Sequence, residues 1–452
     1  METEEKKEVK VDKAKKYEEV TQKYGDPWLW GIYFTLIIIS ILETYSASSR
    51  EVATAGVYSP LIKHCVFLFF GGVCVFFLYR IPYNNKNFMF FGIFVLFLVT
   101  IASLLYVMMF GEVINGAQRA IRLFGITVQP AELAKISSVT MLSYILARNQ
   151  QKNDVSNTGL VLSAVVAGAF GLLMVQSGLT NFVLLAGVSL FLLIIGGTSL
   201  KKVIWGLGLL AVFGGMIMLI KNHNDKQEDN LRGNQIEAQI VEEGETPKVD
   251  RSNMRNSRME DWKAWLKHDS VWTIPIDDNN TQVMCSRMAQ AHGGLTGVFF
   301  GNSRESSRLP LAFSDYIYSI IVEDTGFIGG AFVLMLYIFL LLRTFMIARR
   351  CRRVLPALLV IGMASMITLQ ALVHMAINTG VFPVSGQPLP LVSKGGTSIL
   401  VTSVAFAIMI SISRTVASYH DKKNIQKEEE ELPEELRAEN PSQIISFKNE
   451  WK

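Results

Sequence analysis

Charge is scarce in this chain. Of 452 residues only 18% are charged, while 50% are hydrophobic. That balance excludes an ordinary soluble domain, because the apolar residues also come in long blocks. Cysteine is scarce too. Cys65, Cys74, Cys285 and Cys351 are scattered, with neither the spacing of a metal site nor that of a disulfide framework. No glycine-rich nucleotide loop of the Walker or dinucleotide type occurs, which removes the common nucleotide-dependent classes. The strict alternation of an outer-membrane barrel is missing. A cleavable leader is not expected, since the first 27 residues are charged and contain no apolar core.

What is present is a series of membrane-length apolar blocks. A bilayer core of roughly 30 Å needs about 20 apolar residues as helix. Ten blocks qualify, near 28–47, 60–79, 88–109, 130–147, 158–175, 179–197, 203–220, 316–342, 354–377 and 392–413. The expected class is therefore an all-α polytopic membrane protein with about ten transmembrane helices. Residues 1–27 form an N-terminal segment, 28–415 the membrane domain, and 416–452 a polar tail. Residues 221–312 form one large loop between spans seven and eight.

Lys and Arg in the loops set orientation. One side carries Arg50, Arg119, Arg122 and Lys394. The other carries Arg80, Lys86, Arg148, Lys152, Lys201, Lys202, Arg343, Arg349, Arg350, Arg352 and Arg353. Eleven against four puts both termini in the cytoplasm and the large loop outside. No internal repeat is evident, which weakens a transporter built from inverted halves.

Polar chemistry gathers in a few places. In "NGAQRAIRLFGITVQPAELAK" (115–135), Asn115 and Gly116 favour a turn and Pro130 suits a helix start. Glu132 and Lys135 share a helix face. They read either as a structural ion pair or as the polar wall of an outward cavity. The segment "NTGVFPVSGQPLPLVSKGGTSIL" (378–400) has too many prolines and glycines for a helix at membrane depth. It either lines a cavity or makes a packed re-entrant turn. There Gly395 and Gly396 allow close backbone approach, and Ser393, Lys394, Thr397 and Ser398 offer donors. The segment "AQAHGGLTGVFFGNS" (289–303) is another Gly-rich outer stretch, and its lone His292 reads as a polar loop residue. Finally "FSDYIYSIIVEDTG" (313–326) opens a span with Asp315 at its mouth and Glu323 and Asp324 deeper. Those two read as structural.

In order along the chain, these motifs resemble the SEDS family (shape, elongation, division and sporulation), the peptidoglycan glycosyltransferases of the FtsW/RodA/SpoVE group. The family's NGAxRWI, QPSE or QPAE, and following Lys appear as Asn115 to Ile121, Gln129 to Glu132, and Lys135. Its R-x-x-R before an aromatic in the large loop is matched by Arg255, Arg258 and Trp262. Its LPEAHTD…EELG is matched by Leu309 to Asp315 and by Glu323 to Gly326. Its TGLLPVTGIPLPFISYGG is matched by Thr379-Gly380, Pro383, Gly386, Pro388 to Pro390, Ser393 and Gly395-Gly396. The early "TYSASS" and "KHCVF" look FtsW-like. The departures are Ala120 for Trp, Leu311 for Glu, Phe313 for His, Lys394 for Tyr, and "VQSGLTNF" (175–182), which lacks the usual Pro and Asp.

The resemblance implies an enzyme, a hexosyltransferase that polymerises lipid II into glycan strands at the outer face of the bacterial cytoplasmic membrane, in septal synthesis during cell division. Asp315 is then the general base. Arg119, Lys135, Arg255 and Arg258 become substrate or diphosphate contacts, Glu132 orients Lys135, and Ser393, Gly395 and Gly396 line the substrate site. Cationic side chains or a divalent ion, magnesium or manganese, can stabilise the leaving diphosphate. Partners implied are lipid II, a class B penicillin-binding protein and other divisome proteins, with no nucleic acid. The alternatives are a lipid II flippase, an elongation polymerase of the RodA kind, and a noncatalytic scaffold.

Overall fold

The computed structural model describes residues 20–48, 59–81, 86–114, 117–123, 126–151, 154–174, 179–199, 201–206, 208, 212, 215, 281–309 and 312–418. Most of the expected seventh span, Arg255, Arg258 and both charged tails lie outside these. Nine of the ten expected spans are helices: α1 (Pro27–Ala47), α2 (Ser59–Leu78), α3 (Lys86–Phe110), α4 (Pro130–Arg148), α5 (Asn157–Met174), α6 (Leu179–Ile195), α8 (Ile317–Arg350), α9 (Val354–Asn378) and α10 (Gly396–Ser418). An additional helix, α7 (Thr281–Gly293), precedes α8 and is too short to cross a membrane. Among the described residues, seven helices are long and apolar enough to span: α1, α2, α3, α5, α8, α9 and α10. The chain is a multi-pass helical membrane protein.

Position in the bundle follows composition. In α9, 83% of the apolar window is buried, against 22% in α2 and α3. Hence α9 is central and α2 and α3 face lipid. Helix α4 is central too, though it is the least apolar of the membrane-length helices. Its Ser137, Ser138, Thr140 and Ser143 are buried against protein, away from lipid. Ser138 Oγ donates to the Ala134 carbonyl and Thr140 Oγ1 to that of Ser137.

One end of the bundle is tied by Asp26. It caps α1 by accepting from Trp28 N at 2.9 Å, with Pro27 in the first turn. The same carboxylate receives Arg343 of α8, and the Asp26 amide donates to Ser413 Oγ of α10. Three sequence-distant helices are thus joined at one point.

Two expectations need correction. The 112–128 stretch, read as a loop around a turn, forms a small antiparallel sheet: β1 (Glu112–Ile114), β2 (Ala117–Leu123) and β3 (Ile126–Val128), in the order β1-β2-β3. Ile121 pairs with Val128 and Glu112 with Ala120, so Ala120 is buried inside it. His292 lies in the last turn of α7 and not in a loop. The span boundaries also shift. The tenth helix starts at Gly396, because 389–395 is irregular, and the eighth starts at Ile317 and runs to Arg350.

Helix α8 is broken at Gly326, which has φ 72° and ψ −175°. The loop after α7 docks into the break. Val298 N and Phe299 N donate to the carbonyls of Glu323 and Asp324, while Phe327 N and Ile328 N donate to those of Gly294 and Leu295. The opened helix ladder is therefore satisfied by the loop, as buried backbone requires. Glu323, buried completely, accepts from Ser303 Oγ, Arg304 N and, at 3.4 Å, Glu305 N. It holds the short 3₁₀ turn Glu305–Ser307 onto α8. Asp324 is buried beside Ser46 and Glu43 of α1.

Candidate functional site

Asp315 lies in the turn just before α8 and is half-buried. Three consecutive carbonyls around it are each held from another element. Lys394 N donates to Phe313 O at 2.9 Å, Ser393 Oγ to Ser314 O at 2.7 Å, and Asn378 Nδ2 to Asp315 O at 3.1 Å. The carboxylate itself accepts from Ser314 Oγ at 3.0 Å. Its main chain is therefore fixed independently of its side chain. The N-terminus of α8 follows directly, and its dipole favours a negative charge there.

Asn378 was not singled out in the sequence, yet it joins the pieces. Its Oδ1 accepts from Ser319 N and Ser319 Oγ, so it caps the first turn of α8 from the end of α9. Helix α7 closes the knot, with Gln290 Nε2 donating to the Asn378 carbonyl at 2.7 Å and Ser286 Oγ sharing a 2.6 Å bond with Ser319 Oγ. Sequence gave no signal for these amides, because a single Asn or Gln in a helix carries no motif.

Ser393 is buried. Besides donating to Ser314 O, it accepts from Leu389 N at 2.7 Å. Its hydroxyl holds the turn 389–393 against the Asp315 segment. Gly396 packs against the Phe67 ring, and a Cβ there would approach it to 2.7 Å. Gly395 is half-buried and more open, with only Ser398 near its Cβ position, at 3.5 Å. Of the two glycines, Gly395 is the one that leaves room. Thr397 ties α10 to the sheet, donating to Thr127 O at 3.0 Å and accepting from Gln129 N at 3.2 Å.

The two departures Phe313 and Lys394 meet in space. Lys394 Nζ stands over the Phe313 ring, 4.5 Å from its centre. A cation on the neighbouring 389–395 segment is thus held beside the turn of the candidate base, over the ring that replaces the family histidine.

A second polar cluster lies among α4, α6, α9 and the 387–388 segment. Lys135 Nζ donates to Glu132 Oε1 at 2.7 Å, Gln370 Oε1 at 3.0 Å and Gln387 Oε1 at 3.3 Å. Its three donors are all engaged, and both charges are buried at 3–4% exposure. Gln387 Nε2 continues to Asn181 Oδ1, and Gln370 Nε2 to Pro388 O. Asn181 belongs to the stretch lacking the family's Asp, so an amide supplies the polar contact there. The clusters share the segment 387–394. Removing Lys135 alone leaves Glu132 buried and uncompensated. We expect Lys135→Ala to cost about 3–5 kcal/mol. Thermal denaturation in detergent checks this, with Glu132→Gln/Lys135→Met recovering much of the loss.

Arg119 lies in β2, but its side chain is outside the described residues. Among the described residues, no group of three or more His, Cys, Asp or Glu is arranged to hold a metal ion. A divalent cation would have no ready-made protein cage there, and no step is assigned to one.

A family model described as "Cell cycle protein" (FtsW, RodA, SpoVE) matches residues 27–418. The chain is 25% identical over 342 residues to the "Probable peptidoglycan glycosyltransferase FtsW" of Bacillus subtilis, covering 72% of this chain and 74% of that one. It is 25% identical over 406 residues to the "Stage V sporulation protein E" of the same organism, covering 87% and 99%. Among solved structures, the rod shape determining protein RodA of Thermus thermophilus matches with TM-score 0.57 and 20% identity, covering 86% of this chain and 97% of that one. A chain from a study titled "Structural coordination of polymerization and crosslinking by a peptidoglycan synthase complex" matches with TM-score 0.62 and 20% identity, over 86% and 98%. These solved structures share the fold, and the family match over most of the sequence places this chain in the FtsW/RodA/SpoVE family of cell cycle proteins.

Proposed function

We propose that this chain is a peptidoglycan glycosyltransferase that polymerises lipid II, with Asp315 as general base. The observation that carries the reading is the half-buried carboxylate on a segment pinned at three successive carbonyls. Such pinning suits a base that must meet one hydroxyl repeatedly in one geometry. Asp315 takes the proton from the 4-hydroxyl of one sugar. That oxygen bonds to the anomeric carbon of the next, whose bond to the lipid diphosphate breaks. The diphosphate departs with the electron pair. Lys394, over the Phe313 ring of the Asp315 turn, and Arg119, Arg255 and Arg258 are the cations proposed to receive it. Lys135 enters the scheme differently. Its donors are committed inside the protein, so it positions the 387–388 segment and leaves the diphosphate to the others.

The FtsW-named relatives support the activity. The FtsW-like early motifs support a septal role. The likeness to a chain of a peptidoglycan synthase complex supports a transpeptidase partner. The charge count supports both termini in the cytoplasm and the site at the outer face. The test uses purified protein and lipid II in detergent, with and without the cognate class B transpeptidase and divalent cations. Glycan strands are expected. A flippase or scaffold leaves lipid II monomeric in every arm, and that result overturns the proposal.

A further inference from the structure

Helices α1 and α2 enclose a groove of about 730 Å³ on the flank of the bundle. Trp30, Phe34, Phe69, Phe76 and Tyr79 line it, and Arg80 closes one end. The groove takes no part in the site above. Phe34 and Phe69 are more than half exposed, so its wall is open to the surrounding lipid.

The Arg80 end is built. Ser411 Oγ of α10 donates to Ile81 O at 2.7 Å, and Arg414 Nη2 donates to Arg80 O at 3.0 Å, so the end of α2 is held in place. The Arg80 guanidinium lies over the Phe76 ring at 4.1 Å, and that of Arg414 lies 5.7 Å from the Tyr79 ring. Arg80 therefore closes the apolar groove, and the Arg414 guanidinium, bonded to the Arg80 carbonyl, brings a second cation to the same end of α2. Among the described residues no carboxylate pairs with either of them. This end is also where Asp26, bonded to Ser413, begins α1. It belongs to the side richer in Lys and Arg.

An occupant must match both parts. Acyl chains fit an aromatic trough of this volume, and a phosphate can accept from guanidinium groups. A zwitterionic head carries the same phosphate but adds an ammonium that two neighbouring arginines repel, so the charge favours a head with net negative charge. Basic pockets between membrane helices recognise anionic headgroups in this way. We propose that the α1–α2 groove is a binding site for one anionic phospholipid, its phosphate on Arg80 and Arg414 and an acyl chain along Phe34, Phe69 and Phe76.

Gly72 gives the decisive variant. It lines the groove, and a Cβ there meets no atom within 4 Å. Gly72→Leu puts a side chain into the trough from a position where the added Cβ meets no obstacle. Gly92 on α3 is equally open and outside the groove, so Gly92→Leu is the control. The full-length protein in detergent is titrated with phosphatidylglycerol, with phosphatidylcholine and with inorganic phosphate. Bound lipid is counted by native mass spectrometry, and melting temperature is followed in parallel. One retained phosphatidylglycerol and a selective rise in melting temperature are expected for the wild type and Gly92→Leu. Both should be lost in Gly72→Leu and in Arg80→Gln/Arg414→Gln. Equal effects of phosphatidylcholine, or selective retention in the groove variants, overturn the proposal. Protection by inorganic phosphate alone also overturns it, because the trough would then be irrelevant. Loss in the Gly92→Leu control counts against it as well, since the effect would not belong to the groove.

Discussion

Asp315→Asn leaves a folded protein that makes almost no glycan from lipid II. The fold survives because the three bonds that fix this turn go to main-chain carbonyls and need no carboxylate. Asparagine also keeps an oxygen able to accept from Ser314 Oγ. What disappears is the ability to take a proton. Losing a positioned base costs on the order of 10²–10⁴ in rate. Ser393→Ala tests the other half of the idea. It removes the bond to Ser314 O and the acceptor for Leu389 N, so the carboxylate stays while its support loosens. Its rate should fall between wild type and Asp315→Asn. The measurement is strand formation from purified lipid II, with melting temperature as the check on folding. Asp315→Asn within tenfold of wild type would remove Asp315 from the mechanism.

Gly326→Ala carries the second large effect, this time on stability. At φ 72° and ψ −175° an L side chain is strained, at about 1–3 kcal/mol. A Cβ there would also collide with the Leu295 carbonyl, and one on Gly297 would collide with that of Asp324. These obstacles are main chain, so no rotamer change relieves them. Overpacking of this kind adds about 1–3 kcal/mol. Gly31→Ala is the contrast, since its Cβ meets nothing within 4 Å on a regular helix. We expect Gly326→Ala and Gly297→Ala to melt well below wild type in detergent and Gly31→Ala to match it. Equal melting of all three would mean that the loop does not depend on this close approach.

Apolar length made most of the bundle legible, because lipid rewards it in every peripheral helix. Helix α4 could be found despite its serines through the Pro130 start and the length of its run. The small sheet was hidden: two of its strands have three residues, too few for alternation to show, and the seven of β2, AQRAIRL, do not alternate strictly. Asp315, Ser393 and the Glu132–Lys135 pair could be read from motif and spacing. Asn378, Gln370, Gln387 and Gln290 could not, since their value lies in contacts between distant segments. The three acids of "FSDYIYSIIVEDTG" separate cleanly. Glu323 serves a 3₁₀ turn, Asp324 is buried against α1, and only Asp315 remains half-buried at the start of the helix.

The break in α8 has a consequence for how the protein is made. Residues 327–350 form about 36 Å of helix at ~1.5 Å per residue, enough to cross the roughly 30 Å core unaided. Residues 317–325 are surplus to crossing. Entering lipid with the ladder open at Gly326 would strand the amides and carbonyls on either side of the break. Their partners, residues 294–299, are encoded just ahead of the span and leave the ribosome before it. Order of synthesis therefore supplies the loop before the helix that needs it. Moving that loop downstream by circular permutation would leave the same contacts available in the finished fold but deny them to the nascent span.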